Sequence, residues 1–255
     1  MCESRLSDWW FDEAVDHGHR SRLTVDYPDM PRFRGILMAN ALDMEAGLAE
    51  GRGRPGHEVS EKKGFQSELV EVLRARYSLG VPLSQLVDAF DELVKIMGED
   101  ETMTQNTNAL WVFAWAAMVG DQDAKDTLKR VAAETTGLQQ HPSFLSDVFL
   151  GEEPVSEAPF YTYPKGKLAH TELHDAYKLA IAGDMEAATE LHNNYVANDW
   201  LKRHRGAHWY GKQKQPTFVG YWSFESAALA KVAGIDDSAL EGHDNYPYEL
   251  AHYTT

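Results

Sequence analysis

Apolar residues recur at helical spacing through the first half of the chain. In residues 69–77 and 83–97 they stand three or four positions apart, as do Leu86, Phe90 and Leu93. This spacing places them on one face of a helix. Gly80 and Pro82 separate the two stretches, and a glycine followed closely by a proline is typical of one helix ending and another beginning. The pattern therefore predicts a helical hairpin.

A similar apolar face predicts an earlier helix that begins at Pro31 and ends near Glu50. Ser7 or Asp8 could cap a helix before it. The glycine-rich segment 51–59 predicts a loop.

Two further stretches are apolar on nearly every side, which predicts helices buried in the core. One is residues 109–118. The other is residues 221–233, where the polar residues are Ser223, Glu225, Ser226 and Lys231.

Glycine followed by an acidic residue marks several helix junctions. Gly120 and Gly183 are each followed by aspartate, so that glycine ends one helix and the aspartate caps the next. The second pair predicts two long helices, 168–182 and 184–204. After residues 221–233, Gly234 can take the left-handed conformation, and Asp236 or Asp237 can cap a short helix.

No stretch has the alternating pattern of a useful β-strand, so the predicted fold is all-α. We expect a bundle of stacked antiparallel helical hairpins, arranged as two closely packed helical halves. Four prolines lie between residues 139 and 167, and this composition favours a boundary there. The predicted division is an N-terminal helical region 1–138, a proline-rich connector 139–167 and a C-terminal helical region 168–255.

The net charge of −16, from 40 acidic and 24 basic residues, changes the expected partner. Nucleic acids and anionic membranes are bound by lysine and arginine, so neither is expected as the direct ligand. A basic protein is the better match. The one cysteine, Cys2, lies in a polar N-terminus without a secretory leader, and the longest apolar run is shorter than the roughly 20 residues that cross a bilayer. We expect a soluble, cytoplasmic protein.

His170 and His174 form the most enzyme-like pattern, because imidazoles at i and i+4 can bind one metal ion from a helix. Glu172, however, is one position later than the glutamate of the metalloprotease motif. His204 and His208 share the spacing, but Gly206 between them favours a loop. The sequence contains no phosphate-binding glycine loop and no evident nucleophile with its base. We therefore expect no catalytic residue and no cofactor, with a metal-dependent hydrolase using His170 and His174 as the alternative.

The C-terminal segment 217–250 resembles the C-terminal region of the PoNi family, the immunity proteins against PoNe-type DNase toxins. The residues that carry the resemblance are Gly220, Tyr221, Trp222, Phe224, Glu225, 227–232, 234–238, Tyr246, Pro247 and Tyr248. Residues 73–94 also resemble the N-terminal region of that family. The resemblance implies a non-enzymatic immunity protein that binds and inhibits a cognate DNase toxin, delivered by a type VI secretion system.

Three acidic groups stand at predicted helix ends or loops, where a negative surface could dock over the basic cleft of a nuclease. The candidate toxin-binding residues are Glu99, Asp100, Glu101, Glu152, Glu153, Asp236, Asp237, Glu241 and Asp244. The charge is also compatible with an acidic helical scaffold for another basic protein.

Five residues of the C-terminal segment are interpreted as a structural motif: Gly220, Tyr221, Trp222, Glu225 and Pro247. Glu225 lies in the most apolar helix, where an unpaired charge is costly. We expect its carboxylate to be bonded to a tyrosine hydroxyl, a backbone amide or an arginine.

Overall fold

The computed structural model describes residues 30–53, 55–104, 106–135, 144–154, 162–163, 167–168, 170–207, 209–212, 214 and 218–254. The helix predicted near Ser7 lies outside these residues. The described part is all-α, as predicted. The first six helices are α1 (Met30–Ala49), α2 (Glu58–Ser78), α3 (Leu83–Asp100), α4 (Asn106–Val119), α5 (Gln122–Glu134) and α6 (Phe144–Leu150).

The C-terminal part begins with a two-residue antiparallel ladder between β1 (Thr162–Tyr163) and β2 (Lys167–Leu168). The expectation of no strand missed this pair, which is too short to produce an alternating pattern. The helices that follow are α7 (Thr171–Ile181), α8 (Met185–Asn194), a π-helical segment (Tyr195–Asp199), α9 (Trp200–Arg203), a 3-10 turn (His204–Gly206), α10 (Phe224–Ala233), a 3-10 turn (Ser238–Leu240) and α11 (Tyr248–Ala251).

Several helices begin and end at the capping residues that the sequence predicts. Asp121 caps α5 by accepting the Ala124 N–H at 2.8 Å, and Asp184 caps α8 by accepting the Ala187 N–H at 3.2 Å. Gly234 takes the left-handed conformation after α10, with φ 68°. These capping predictions are confirmed.

The helix predicted over 221–233 begins later, at Phe224. Gly220 has φ 91°, and the Ser223 N–H donates to the Asn245 carbonyl at 2.9 Å rather than to a carbonyl one turn earlier. The chain before Phe224 is therefore held by contacts with distant residues. Apolarity alone could not distinguish this buried non-helical segment from a buried helix.

The core crosses the predicted boundary between the two regions. Aromatic rings of Tyr77 from α2, Trp115 from α4 and Trp222 and Phe224 from the C-terminal region pack together, with 4.9 Å between the Tyr77 and Trp222 centroids. Helix α6, inside the predicted connector, buries its apolar residues in the same cluster and packs against α4 and α10. The three-part division and the stacking of hairpins stay predictions.

No helix within the described ranges combines the length and the apolarity required to cross a membrane.

Ser78 connects the end of α2 to the C-terminal region. Its hydroxyl donates to the Val219 carbonyl at 2.6 Å and accepts from Trp222 Nε1 at 2.7 Å. Gly220 passes directly over this pair: a Cβ atom there would overlap Ser78 Oγ and lie 2.6 Å from Trp222 Nε1. Glycine is therefore required both by the positive φ and by the lack of space.

Comparing Gly220→Ala with Gly183→Ala should separate the cost of the positive φ from the cost of the missing space. Gly183 has a similar φ of 88°, but nothing lies within 4 Å of its Cβ position. Both variants should lose about 1–3 kcal/mol of unfolding free energy from the left-handed backbone, and Gly220→Ala should lose about 1–3 kcal/mol more from overpacking. Urea unfolding followed by tryptophan fluorescence measures both. Equal losses would show that space at Gly220 is not limiting.

Candidate functional site

The loop after α10, residues 236–244, carries the C-terminal acidic group and is called the acidic loop below. Asp236, Glu241 and Asp244 are exposed. The Asp236 carboxylate accepts the Ser238 N–H at 3.0 Å, which begins the 3-10 turn as predicted. Within the described chain, neither Asp236 nor Glu241 forms an ion pair with a basic side chain. These two carboxylates therefore present uncompensated negative charge.

Asp237 occupies the interior instead. Its side chain accepts from the Tyr246 hydroxyl at 2.6 Å and lies 2.8 Å from His252 Nε2, and the residue is 4% exposed. Burial and then the Asp237 charge raise the pKa of Tyr246 well above its ordinary value, so the hydroxyl keeps its proton. Asp237 is therefore a buried acceptor that connects the acidic loop to the C-terminus, and it is not available as an exposed contact.

Side-chain amides hold both ends of the acidic loop. Asn193 donates to the Asp236 carbonyl at 2.9 Å, and Asn245 donates to the Tyr221 carbonyl at 3.0 Å. These bonds fix the loop relative to the end of α8 and to the segment before α10. The exposed carboxylates are consequently displayed from a restrained backbone.

A cavity of about 580 Å³ opens beside the acidic loop. One wall is the π-helical segment, whose extra residue per turn widens the helix, and such segments are frequent at functional sites. Lys202 and Arg205 bring positive charge to the cavity and Asp244 brings negative charge. The other lining residues are Val196, Ala197, Asn198, Leu201, Tyr210, Gly242, His243 and Asn245.

The acidic group at the end of α3 is more compensated. Asp100 lies 3.6 Å from Lys62 Nζ and accepts from Gln66 Nε2 at 3.2 Å, so it has a structural role. Glu99 is exposed and lies 4.0 Å from Lys95 Nζ. Glu101 is exposed and has φ 53°, forming the left-handed end of the helix.

The third acidic group follows α6. Glu152 and Glu153 are exposed, and Glu152 lies 2.6 Å from Lys129 Nζ on α5. The neighbouring Arg130 Nη2 is 3.4 Å from the Gly98 carbonyl at the end of α3. Helix α5 therefore carries basic side chains toward two of the acidic groups.

The predicted structural motif is buried. The Tyr221 hydroxyl accepts the Gly211 N–H at 2.9 Å, Trp222 bonds Ser78, and Pro247 directly precedes α11. Glu225 is 1% exposed, and its Oε1 accepts from Trp200 Nε1 at 2.5 Å. The indole was not among the three partners expected for this carboxylate, but a backbone amide bonds the carboxylate as expected, and the charge of Arg74 stabilises it. Its second oxygen, Oε2, is buried with no hydrogen-bond partner among the described residues.

Glu225 belongs to a buried cluster with His170 and His204. Ligand atoms of the three side chains all lie within 4.8 Å of one another, and His170 Nδ1 is 3.7 Å from Glu225 Oε1. Burial raises the pKa of Glu225 to about 7 and lowers the pKa of His204 to about 4. Burial, and then the proximity of His204, lower the pKa of His170 well below its ordinary value. Both imidazoles are therefore neutral at neutral pH.

His174 is not part of this cluster. His170 precedes α7 in the left-handed conformation, with φ 61°, so the expectation that both rings project from one helix is wrong. His174 Nδ1 lies 3.3 Å from Asp175 Oδ1, and its ring packs edge-on against Phe144 at 4.5 Å. His208 lies outside the described residues. Sequence spacing missed the His170, His204 and Glu225 cluster because its members are separated by 34 and 21 positions.

Residues 150–250 match the family model of PoNe immunity proteins (PoNi), C-terminal, which confirms the resemblance of this region. The acidic loop, the cavity and the buried cluster all lie within the match. The chain is also similar in fold to the crystal structure of protein PA2201 from Pseudomonas aeruginosa. That similarity has a TM-score of 0.52 and 14% identity, and covers 89% of this chain and 95% of that one. None of the curated proteins matches the chain.

Replacing Asp237 by asparagine should destabilise the protein, whereas Asp236→Asn should not. The first change removes a buried charged acceptor shared by Tyr246 and His252, at a cost of about 1–3 kcal/mol. The second keeps a good capping side chain, and we expect a change of about 0.5 kcal/mol or less. Urea unfolding of the two variants measures the difference. Equal stability would contradict the anchoring role of Asp237.

Proposed function

We propose that this protein is an immunity protein that binds a cognate PoNe-type DNase toxin in the cytoplasm and inhibits it stoichiometrically, without turnover. The observation that carries the proposal is the family match over residues 150–250. Delivery of the toxin by a type VI secretion system is part of the same proposal and rests on the family resemblance.

The charge distribution supports a direct contact between the acidic loop and the toxin. A DNase must present lysine and arginine to phosphate groups. Asp236, Glu241 and Asp244 offer exposed negative charge to such a surface. Carboxylates at the rim of an interface mainly accelerate association, toward about 10⁸ M⁻¹s⁻¹ at low salt. We propose that they guide the toxin toward the cavity side of the C-terminal region.

Affinity requires buried contacts as well as charge. The cavity beside the loop supplies a recess in which a toxin side chain can be buried, and Tyr210 at its wall supplies an aromatic surface. Asp244 lines the cavity together with Lys202 and Arg205. We propose that this recess is the anchoring part of the interface and that the acidic loop is its rim.

The other two acidic groups have a weaker claim to the interface. Glu99, Glu101, Glu152 and Glu153 are exposed, but Glu99 lies 4.0 Å from Lys95 Nζ and Glu152 lies 2.6 Å from Lys129 Nζ. We keep them as secondary candidates. Asp100 and Asp237 have structural bonds and are left out of the proposed contact surface.

The function is tested by measuring plasmid cleavage by a PoNe-type DNase while this protein is titrated in. Calorimetry in the same buffer measures binding. We expect cleavage to stop at one-to-one stoichiometry, with a matching heat of binding. Active nuclease and no heat would overturn the pairing. Binding without inhibition would instead favour the alternative of an acidic scaffold for a basic protein.

Reversing charge on the acidic loop should slow association with the toxin. We expect the double variant Glu241→Lys with Asp244→Lys to reduce the association rate constant by about tenfold or more at low salt, and less at high salt, because salt screens exposed charges. The matched control is Asp88→Lys with Asp123→Lys, which makes the same change of net charge at exposed positions outside the family match.

Stopped-flow fluorescence at two salt concentrations measures both rate constants. Equal slowing in the two double variants would assign the effect to net charge rather than to the acidic loop, and unchanged rates in both would remove the loop from the interface.

A further inference from the structure

The buried cluster of His170, His204 and Glu225 contains the donor set of a transition-metal site. Two imidazoles and one carboxylate suit zinc and similar divalent ions, whereas calcium and magnesium prefer oxygen ligands throughout. The three residues come from the start of α7, the 3-10 turn after α9 and the first turn of α10. A shared ion would therefore cross-link three separate segments.

The hydrogen bonds around the cluster orient its donor atoms for a metal. His204 Nδ1 lies 2.6 Å from the Trp200 carbonyl. A carbonyl can only accept, so Nδ1 carries the proton and Nε2 of the neutral ring carries the lone pair. Metal-binding histidines typically have this arrangement, in which the second nitrogen donates to a carbonyl or carboxylate.

Trp200 also supports the carboxylate. Its indole donates to Glu225 Oε1, while Oε2 is buried and has no hydrogen-bond partner among the described residues. A buried carboxylate oxygen without a donor is costly unless a cation or a proton satisfies it. Trp200 thus orients both His204 and Glu225, and it leaves Glu225 Oε2 available to a bound cation.

The spacing of the cluster is close to that required. Two ligands at about 2.1 Å from one tetrahedral zinc ion lie ~3.4 Å apart. His170 Nδ1 and Glu225 Oε1 are 3.7 Å apart, and the whole group lies within 4.8 Å. The Tyr195 hydroxyl is 3.4 Å from His170 Nδ1 and adds an oxygen at the same place. A contraction of at most about 1.4 Å, from 4.8 Å to ~3.4 Å, would bring the three ligands to bonding distance.

We propose that His170, His204 and Glu225 together bind one divalent transition-metal ion of the zinc class, in a buried site that stabilises the C-terminal region. All three residues are buried, which favours a structural role, and a water molecule would complete the four-coordinate shell that three protein ligands leave open. The proposal is independent of toxin binding. It also differs from the hydrolase alternative, because His174 does not contribute a ligand.

Metal titration of the chelator-treated full-length protein tests the site. We expect calorimetry to show one Zn²⁺ bound per chain, and Co²⁺ to show the visible absorption of a four-coordinate site. Zn²⁺ should raise the melting temperature, and Mg²⁺ should not. An unchanged melting temperature with Zn²⁺, or the absence of stoichiometric binding to the wild type, would overturn the proposal.

Three variants assign the ligands. Glu225→Gln preserves side-chain volume and removes the charge, and His204→Gln removes an imidazole. Each should weaken Zn²⁺ binding by more than about 100-fold, the upper effect of changes in outer-shell partners. His174→Gln removes a nearby buried imidazole outside the cluster and should leave the affinity unchanged.

Circular dichroism checks that each variant folds. If His204→Gln does not fold, the comparison of Glu225→Gln with His174→Gln decides the assignment. Retained Zn²⁺ affinity in Glu225→Gln, or an equal loss in His174→Gln, would refute the proposed ligand set.

Discussion

Burial of a carboxylate in the apolar helix α10 constrains much of the C-terminal region. Glu225 cannot reach water, so the chain must supply its polar partners from elsewhere. Trp200 donates to it from 25 positions earlier, and Arg74 of α2 stabilises its charged form. The guanidinium of Arg74 itself lies over the Trp111 ring at 3.3 Å. The polar partners of this one carboxylate in α10 therefore come from both α2 and α9.

Local signals predicted the helical framework because helix ends depend on residues adjacent in sequence. Glycine, proline and aspartate at positions 80–82, 120–121 and 183–184 were sufficient to place the junctions between α2 and α3, between α4 and α5, and between α7 and α8. The delayed start of α10 was not predictable in this way. The non-helical segment before it is fixed by Ser78 and Asn245, and neither contact leaves a periodic pattern in the sequence.

The candidate sites show the same division between local and long-range information. Composition predicted a negative surface, and the three acidic groups do contain exposed carboxylates. It could not predict that Asp237 turns inward, because that orientation depends on Tyr246 and His252. Likewise, the spacing of His170 and His174 suggested a pair, while the close approach of His170, His204 and Glu225 depends on how three segments pack. A site built from residues on distant segments can therefore be recognised only once the fold is known.

Anchoring of the acidic loop has a consequence for recognition. Asp237 inside the loop is bonded to the C-terminal segment, and Asn193 and Asn245 hold the two ends. A loop restrained in this way loses little conformational entropy when a partner binds, so more of the interaction energy remains as affinity. The buried residues of the loop therefore affect the affinity for a partner, as its exposed residues do. Mutation of Glu241 or Asp244 alters the charge that the loop exposes, whereas mutation of Asp237 alters how firmly that charge is held.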